Sequence, residues 1–186
     1  MASTREAFIE TTARLLETQG YFATGLNQIV AESGAPKGSL YYYFPDGKEG
    51  LTVEVIERVS ATIADHIRVN LAVTEDPAEA IDGFLRMMAR AVEATNCQGG
   101  GPIATVALET SAVSERLRAA CREAYRSWQG VFAEKLVAGG WRPEQATGLA
   151  GLIIAAIEGA IILCRTERSA VPLERVADEL RPLLRG

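Results

Sequence analysis

The sequence predicts an all-α fold, and three observations predict it. Nearly every segment repeats its apolar residues with a period near 3.6. Glycine and proline fall between these segments at helix-ending and helix-opening positions, and no stretch alternates with the period of two that a half-buried strand requires. With 186 residues, 48% of them hydrophobic and 23% charged, the chain has apolar material for one compact unit or two small ones.

In the first helix, Ser3 to about Gln19, the residues Phe8, Ile9, Thr12, Ala13, Leu15 and Leu16 share one face. Arg5, Glu6, Glu10, Arg14 and Glu17 lie on the other, and Gly20 stands where a C-terminal stop belongs. Thr24 is placed to cap a short second helix carrying Leu26, Ile29 and Val30, which Ser33 and Gly34 end. After Ala35 and Pro36 a third short helix begins near Lys37. Asp46 is the expected cap of a long fourth helix, about Lys48 to Leu71, whose stripe is Leu51, Val55, Ile56, Val59, Ile63 and Ile67. Pro77 opens a fifth helix that runs to about Thr95, and "NCQGGGP" separates it from a sixth that starts near Pro102. Ser114 caps a long seventh helix ended by Gly139 and Gly140, Pro143 opens the eighth, to about Arg165, and Pro172 opens the ninth.

Composition narrows the chemistry. The three cysteines, Cys97, Cys121 and Cys164, are odd in number and far apart in sequence, and His66 is the only histidine. Neither a disulfide framework nor a Cys/His zinc site is therefore expected, nor any cofactor. His66 lies amid helical periodicity and reads as a partly exposed helix residue, not a catalytic base. "GYFATG" and "NCQGGGP" lack the preceding strand and the spacing of nucleotide-binding glycine loops. No catalytic residue is assigned and no enzymatic activity is expected. The first residues carry no basic, apolar, small-residue leader, which gives a cytoplasmic expectation.

The second and third helices, joined by "SGAP", have the proportions of a helix-turn-helix, whose second helix fits the major groove of DNA. Leu40 and Phe44 are four residues apart and apolar, so they should face the first and second helices. That turns Lys37, Gly38, Ser39, Tyr41, Tyr42 and Tyr43 outward. A tyrosine hydroxyl donates to a phosphate oxygen while its ring lies against sugar, Lys37 reaches a guanine edge or a phosphate, and Ser39 suits a base edge. Gly38 lets the backbone come close. Residues 1–50 carry Arg5, Arg14, Lys37 and Lys48 against Glu6, Glu10, Glu17, Glu32, Asp46 and Glu49, yet no acidic residue lies between Ser33 and Pro45. The field at the reading helix is then locally positive, with a modest salt dependence of binding.

The run "LNQIVAESGAPKGSLYYYF" followed by "KEGL" resembles the signature of the tetracycline-repressor (TetR) family of transcriptional regulators, and the order of nine helices is similar too. The resemblance implies that Thr24 and Lys48 join Lys37, Gly38, Ser39, Tyr41, Tyr42 and Tyr43 as DNA contacts. It also implies a DNA-binding domain of three helices at 1–47 and a helical effector-binding and dimerisation domain at 48–186. Gly25 replaces the Ser or Thr usual after Thr24, and "FPDGKE" is one residue longer than the commoner spacing before Lys48. That longer form, with "GGGPIATVALE", resembles the LmrA/YxaF-like branch, whose members sense drug-like and flavonoid-like aromatics.

The eighth helix reads "ATGLAGLIIAAIEGAIILC", long enough to cross a membrane, but Glu158 within it would cost about 2.5 to 3.5 kcal/mol at a bilayer centre. The better reading is an interface. Gly148, Gly151, Ala155 and Gly159 leave a smooth strip, so the eighth and ninth helices of two copies are expected to form a four-helix bundle about a two-fold axis. Leu152, Ile162, Leu173, Val176, Leu180 and Leu183 are its expected apolar contributors. Inward-facing Phe84, Met87, Met88, Val106, Tyr125, Trp128, Phe132 and Ile154 fit ordinary core packing, and the family resemblance makes them candidates for an effector site. Glu109 and Glu158 could orient a cationic or hydroxylated ligand there, or serve a helix end or a buried hydrogen bond.

The function expected is a homodimeric repressor released from a palindromic operator of double-stranded DNA by a small apolar or aromatic effector. A ligand-dependent activator, a co-repressed regulator, and a small-molecule carrier with a vestigial head are the alternatives.

Overall fold

The computed structural model describes residues 3–185. Among the described residues there is no strand, and nine helices follow one another: α1 (Thr4–Ala23), α2 (Leu26–Ser33), α3 (Lys37–Tyr43), α4 (Gly47–Leu71), α5 (Pro77–Ala94), α6 (Ile103–Thr110), α7 (Glu115–Ala138), α8 (Pro143–Glu167) and α9 (Val171–Leu183).

Local chemistry sets most of these ends. The Ser3 hydroxyl accepts the Glu6 N–H at 3.2 Å at the start of α1. Asp76 accepts the Ala78 N–H at 2.8 Å ahead of α5, and the Ser114 hydroxyl accepts the Leu117 N–H at 3.1 Å ahead of α7. Prolines occupy the first turns of α5, α8 and α9, where the missing N–H costs nothing. Gly34 closes α2 in the left-handed region at φ +64°. Gly20, at φ +81° and ψ 179°, breaks α1 where the sequence places a stop, but a further turn follows as far as Ala23.

One expected cap differs. Thr24 does not cap α2: it is fully buried and its hydroxyl donates to the Gly20 carbonyl at 2.6 Å, while Gly25 holds the cap position with no side-chain bond. The broken end of α1 offered a nearer acceptor than the next helix. Asp46, ahead of α4, accepts from Arg116 at 2.7 Å.

The chain divides into two compact units, Met1–Ala61 with Gly101–Ala124, and Thr62–Gly100 with Tyr125–Gly186. The divisions fall inside α4, between α5 and α6, and inside α7. In the first unit α1 packs on α2, α3 and α6, and Phe8, Leu16, Ile29, Leu40, Leu51 and Ile56 are buried. Phe8 meets Phe44 edge to face at 6.3 Å, so the apolar side of α3 is held as its spacing requires.

In the second unit α9 packs on α5 and α8, burying Ile81, Leu85, Leu173 and Leu180. Burial of each such side chain stabilises by roughly 1.5–3 kcal/mol. Arg86 ties the layers, donating to Asp82 on its own helix at 3.1 Å and to Asp178 on α9 at 2.6 Å. α8 is long and apolar enough to cross a membrane by length and composition, with a mean hydropathy of 2.1. One face of it, Ala150, Ile153, Ile154, Ile157, Ile161 and Cys164, is turned into this unit's core.

Candidate nucleic-acid interface and effector site

α3 presents its tyrosines to solvent. Tyr42 is 80% exposed and Tyr41 58%, while Leu40 and Phe44 on the opposite side are buried. The Tyr42 and Tyr43 rings meet edge to face at 5.0 Å, which orders two large amphipathic side chains before any partner arrives. Lys37 and Gly38 are exposed, and a side chain at Gly38 would meet nothing within 4 Å. Ser39 is half-buried and its hydroxyl donates to the Pro36 carbonyl at 2.6 Å, so toward a base it can only accept.

Thr24, buried and bonded to Gly20, has no free surface to offer a phosphate. Lys48 is half-buried: its ammonium donates to the Tyr21 carbonyl at 2.7 Å and lies 4.0 Å over the Tyr21 ring. Burial pushes the Lys48 pKa down, and the Glu109 carboxylate works against that. Two of its three N–H groups remain for a phosphate.

The carboxylates around this head are occupied. Arg14 donates to Glu32 at 2.6 Å and holds its carboxyl below the usual range, Arg5 pairs with Glu54 at 2.6 Å, and Arg58 pairs with Glu6. At the start of α4, Ser114 donates to Glu49 at 2.5 Å and Arg116 to Asp46 at 2.7 Å. Glu6, Glu32, Asp46 and Glu49 are thus matched by cations or donors from other segments, and no carboxylate belongs to α3 itself.

Glu109 is engaged within its own unit. Its carboxylate accepts the Phe22 N–H at 2.9 Å, and its other oxygen lies where a Cβ at Gly20 would stand. At the other end of α6, Glu17 accepts the Gly101 N–H at 3.0 Å. α6 is therefore stitched to α1 at both ends, and residues 20–22 are gripped by Glu109 from one side and Lys48 from the other. A hydrogen bond is one of the roles the sequence offers for Glu109, but nothing in the sequence names Phe22 as its partner. Val106 is fully buried in the same unit.

The remaining effector candidates belong to the second unit. Phe84 meets Phe132 at 5.7 Å, and Tyr125 meets Trp128 at 5.3 Å, both edge to face. The Tyr125 hydroxyl donates to Glu158, whose carboxyl is pushed up by burial while that hydrogen bond and Arg165 oppose the rise. Met87 and Met88 are half-buried, whereas Ile154 is buried.

Of the expected partner face, Leu152, Ala155, Gly159, Ile162 and Leu183 are exposed and Gly151 and Val176 half-buried, with Ile162 at 51% and Leu183 at 55%. Gly151 and Gly159 have open space above them, with nothing within 4 Å of a built Cβ. Leu173 and Leu180 lie inside their own chain's core and have no area left for a partner. Leu163 and Val171, not singled out from the sequence, are exposed and apolar on the same two helices.

Residues 8–55 match the profile described as bacterial regulatory proteins of the tetR family, and residues 77–179 match that of the LmrA/YxaF-like transcriptional regulator C-terminal domain. The chain is 42% identical over 181 residues to the HTH-type transcriptional regulator YxaF of Bacillus subtilis, covering 97% of this chain and 95% of that one. It is 41% identical over 181 residues to the HTH-type transcriptional regulator LmrA of the same organism, covering 97% and 96%. Among solved structures, the regulatory protein TetR from Rhodobacter sphaeroides superposes with a TM-score of 0.85 at 21% identity, covering 97% of this chain and 98% of that one.

Proposed function

This chain belongs to the TetR family of transcriptional regulators, in its LmrA/YxaF-like branch, and from that premise we propose a homodimeric repressor of a palindromic operator, released by a small apolar or aromatic effector. The helix-turn-helix of such regulators binds DNA, and repression is the role typical of the family. The observation that carries the reading here is α3: exposed Lys37, Tyr41, Tyr42 and Tyr43 on one side, buried Leu40 and Phe44 on the other. In this reading Tyr41, Tyr42 and Tyr43 position the helix on the backbone, and Lys37 and Ser39 read bases. Lys48 gives one further phosphate contact.

Two heads related by a two-fold axis read an inverted repeat whose half-sites lie near one turn of DNA, roughly 34–36 Å apart. The exposed apolar residues of α8 and α9, Leu152, Ile162, Leu163, Val171 and Leu183, support that pairing, with Gly151, Ala155 and Gly159 setting a close approach. Phe84, Met87, Met88, Tyr125, Trp128, Phe132, Ile154 and Glu158 form the effector site in this reading, with Glu158 and Tyr125 as its polar pair.

An effector changes DNA affinity only if it favours a spacing of the heads that the operator does not match. α4 is the covalent route, 25 residues and about 37 Å long, beginning just after the reading helix. Glu109 is the second route: it holds α6 to the last turn of α1. The protein works in the cytoplasm, and no chemistry on a substrate is needed.

A titration of labelled duplex from the gene's own upstream region, at several salt concentrations, tests this. Tight binding that weakens with salt, and that an added aromatic compound abolishes, is expected. A carrier with a vestigial head would bind the compound and show no salt-sensitive affinity for DNA.

A further inference from the structure

Cys97 and Cys164, remote in sequence, both belong to the second unit. Cys97 follows α5 in the left-handed region at φ +58° and borders a cleft of about 450 Å³, whose wall also includes Gln98 and Ser169. Ser169 leads back to the second thiol, because its N–H donates to the Cys164 carbonyl at 3.2 Å. The loop beyond Cys97 is docked on the same turn of α8. Arg165, next to Cys164, donates to the Gln98 carbonyl at 3.0 Å and to the Gly99 carbonyl at 3.4 Å. A Cβ at Gly100 would stand 2.7 Å from the Ile161 side chain, so only glycine permits this approach. Burial pushes the Cys164 thiol up, and Cys97 adds to the rise.

We propose that Cys97 and Cys164 are a paired oxidation site for hydroperoxides, with Cys97 attacked from the cleft and fully buried Cys164 as the resolving thiol. The Cys97 thiolate attacks one peroxide oxygen; an S–O bond forms, the O–O bond breaks, and the other oxygen leaves with the thiol proton as an alcohol or water. The Cys164 sulfur then attacks the sulfenic sulfur; an S–S bond forms, the S–O bond breaks, and the hydroxide leaves as water with the Cys164 proton. The two sulfurs lose two electrons together, and the peroxide gains them. The product fixes covalently to α8 a loop that Arg165 otherwise holds by two hydrogen bonds, and that loop leads directly into α6.

Cys121 supplies an internal control. It belongs to the first unit, and its thiol, buried and pushed up to about 11, donates to the Ile103 carbonyl at 4.0 Å, apart from the two cysteines of the second unit.

The test uses the full-length reduced protein treated with hydrogen peroxide, then denatured and counted for thiols. The expected count falls from three to one, and a non-reducing digest yields the Cys97 and Cys164 peptides joined, separable with dithiothreitol. Cys97→Ser should keep Cys164 as a free thiol. Cys164→Ala should leave a Cys97 sulfenic acid that dimedone traps. Survival of all three thiols in the wild type, a cross-link between chains, or a lasting Cys97 sulfenic acid in the wild type overturns the proposal. These are thiol counts and peptide masses, so they stand or fall apart from DNA binding.

Discussion

Tyr42 isolates the question of what one side chain does on α3. It is 80% exposed and its ring contact is with Tyr43, so Tyr42→Phe removes only a hydroxyl and leaves the fold intact. Losing one charge-assisted phosphate contact should weaken binding by about tenfold, the equivalent of ~1.4 kcal/mol, and equally for specific and scrambled duplexes. Lys37→Ala should instead change the ranking of sequences. Gly20 is a second informative position, because φ +81° and the Glu109 carboxylate both oppose a side chain there. Gly20→Ala should cost roughly 1–3 kcal/mol, read as a lower midpoint in thermal unfolding. Glu158 carries a pH signature. Its folded pKa is raised, so the folded state binds the proton more tightly than the unfolded one, and its contribution to stability is lost as pH rises above the usual carboxylate value of 4.5. Glu158→Gln, which keeps an acceptor for Tyr125, should therefore raise the unfolding midpoint at neutral pH, and the gain should vanish near pH 4.5. An equal gain at both pH values would mean that the charge is not the cause.

At the scale of elements, periodicity and caps located all nine described helices, because each needs one buried stripe and few of its end signals are ambiguous. The division of α3 into a buried and an exposed side was equally legible, since Leu40 and Phe44 are one helical turn apart. What the sequence did not disclose is which polar group answers which. Thr24 has the right type for a cap, but the break at Gly20 exposes a carbonyl four residues back that takes its hydroxyl. Glu109 looks like a pocket carboxylate until α6 is laid on α1, where an unpaired N–H at Phe22 lies within reach. Leu173 and Leu180 share the spacing of an interface stripe with the face that α9 turns toward its own chain, and periodicity cannot separate the two. The exposed side of α8 can be tested as an element. Leu152→Glu combined with Ile162→Glu should leave helicity unchanged, give a solution mass of one chain, and reduce operator affinity by at least tenfold, since two heads would no longer bind as one. A dimer that survives both changes would place the partner face elsewhere.

At the scale of the whole molecule, the charge of -5 is the apparent obstacle to binding a polyanion. Ion pairs such as Arg14 with Glu32 and Arg116 with Asp46 absorb much of the acidity near the head, and α3 itself carries none. The expectation is a shallow salt dependence from few phosphate contacts, with specificity resting on the pairing of two heads. Selection of bound duplexes from a random pool by the intact protein examines that pairing most directly. Enrichment of an inverted repeat with half-sites about one helical turn apart, whose half-site sequence shifts when Lys37 is replaced by alanine, is the expected result. Enrichment of a single half-site, or no enrichment over the starting pool, would contradict a twinned reading head built on α3.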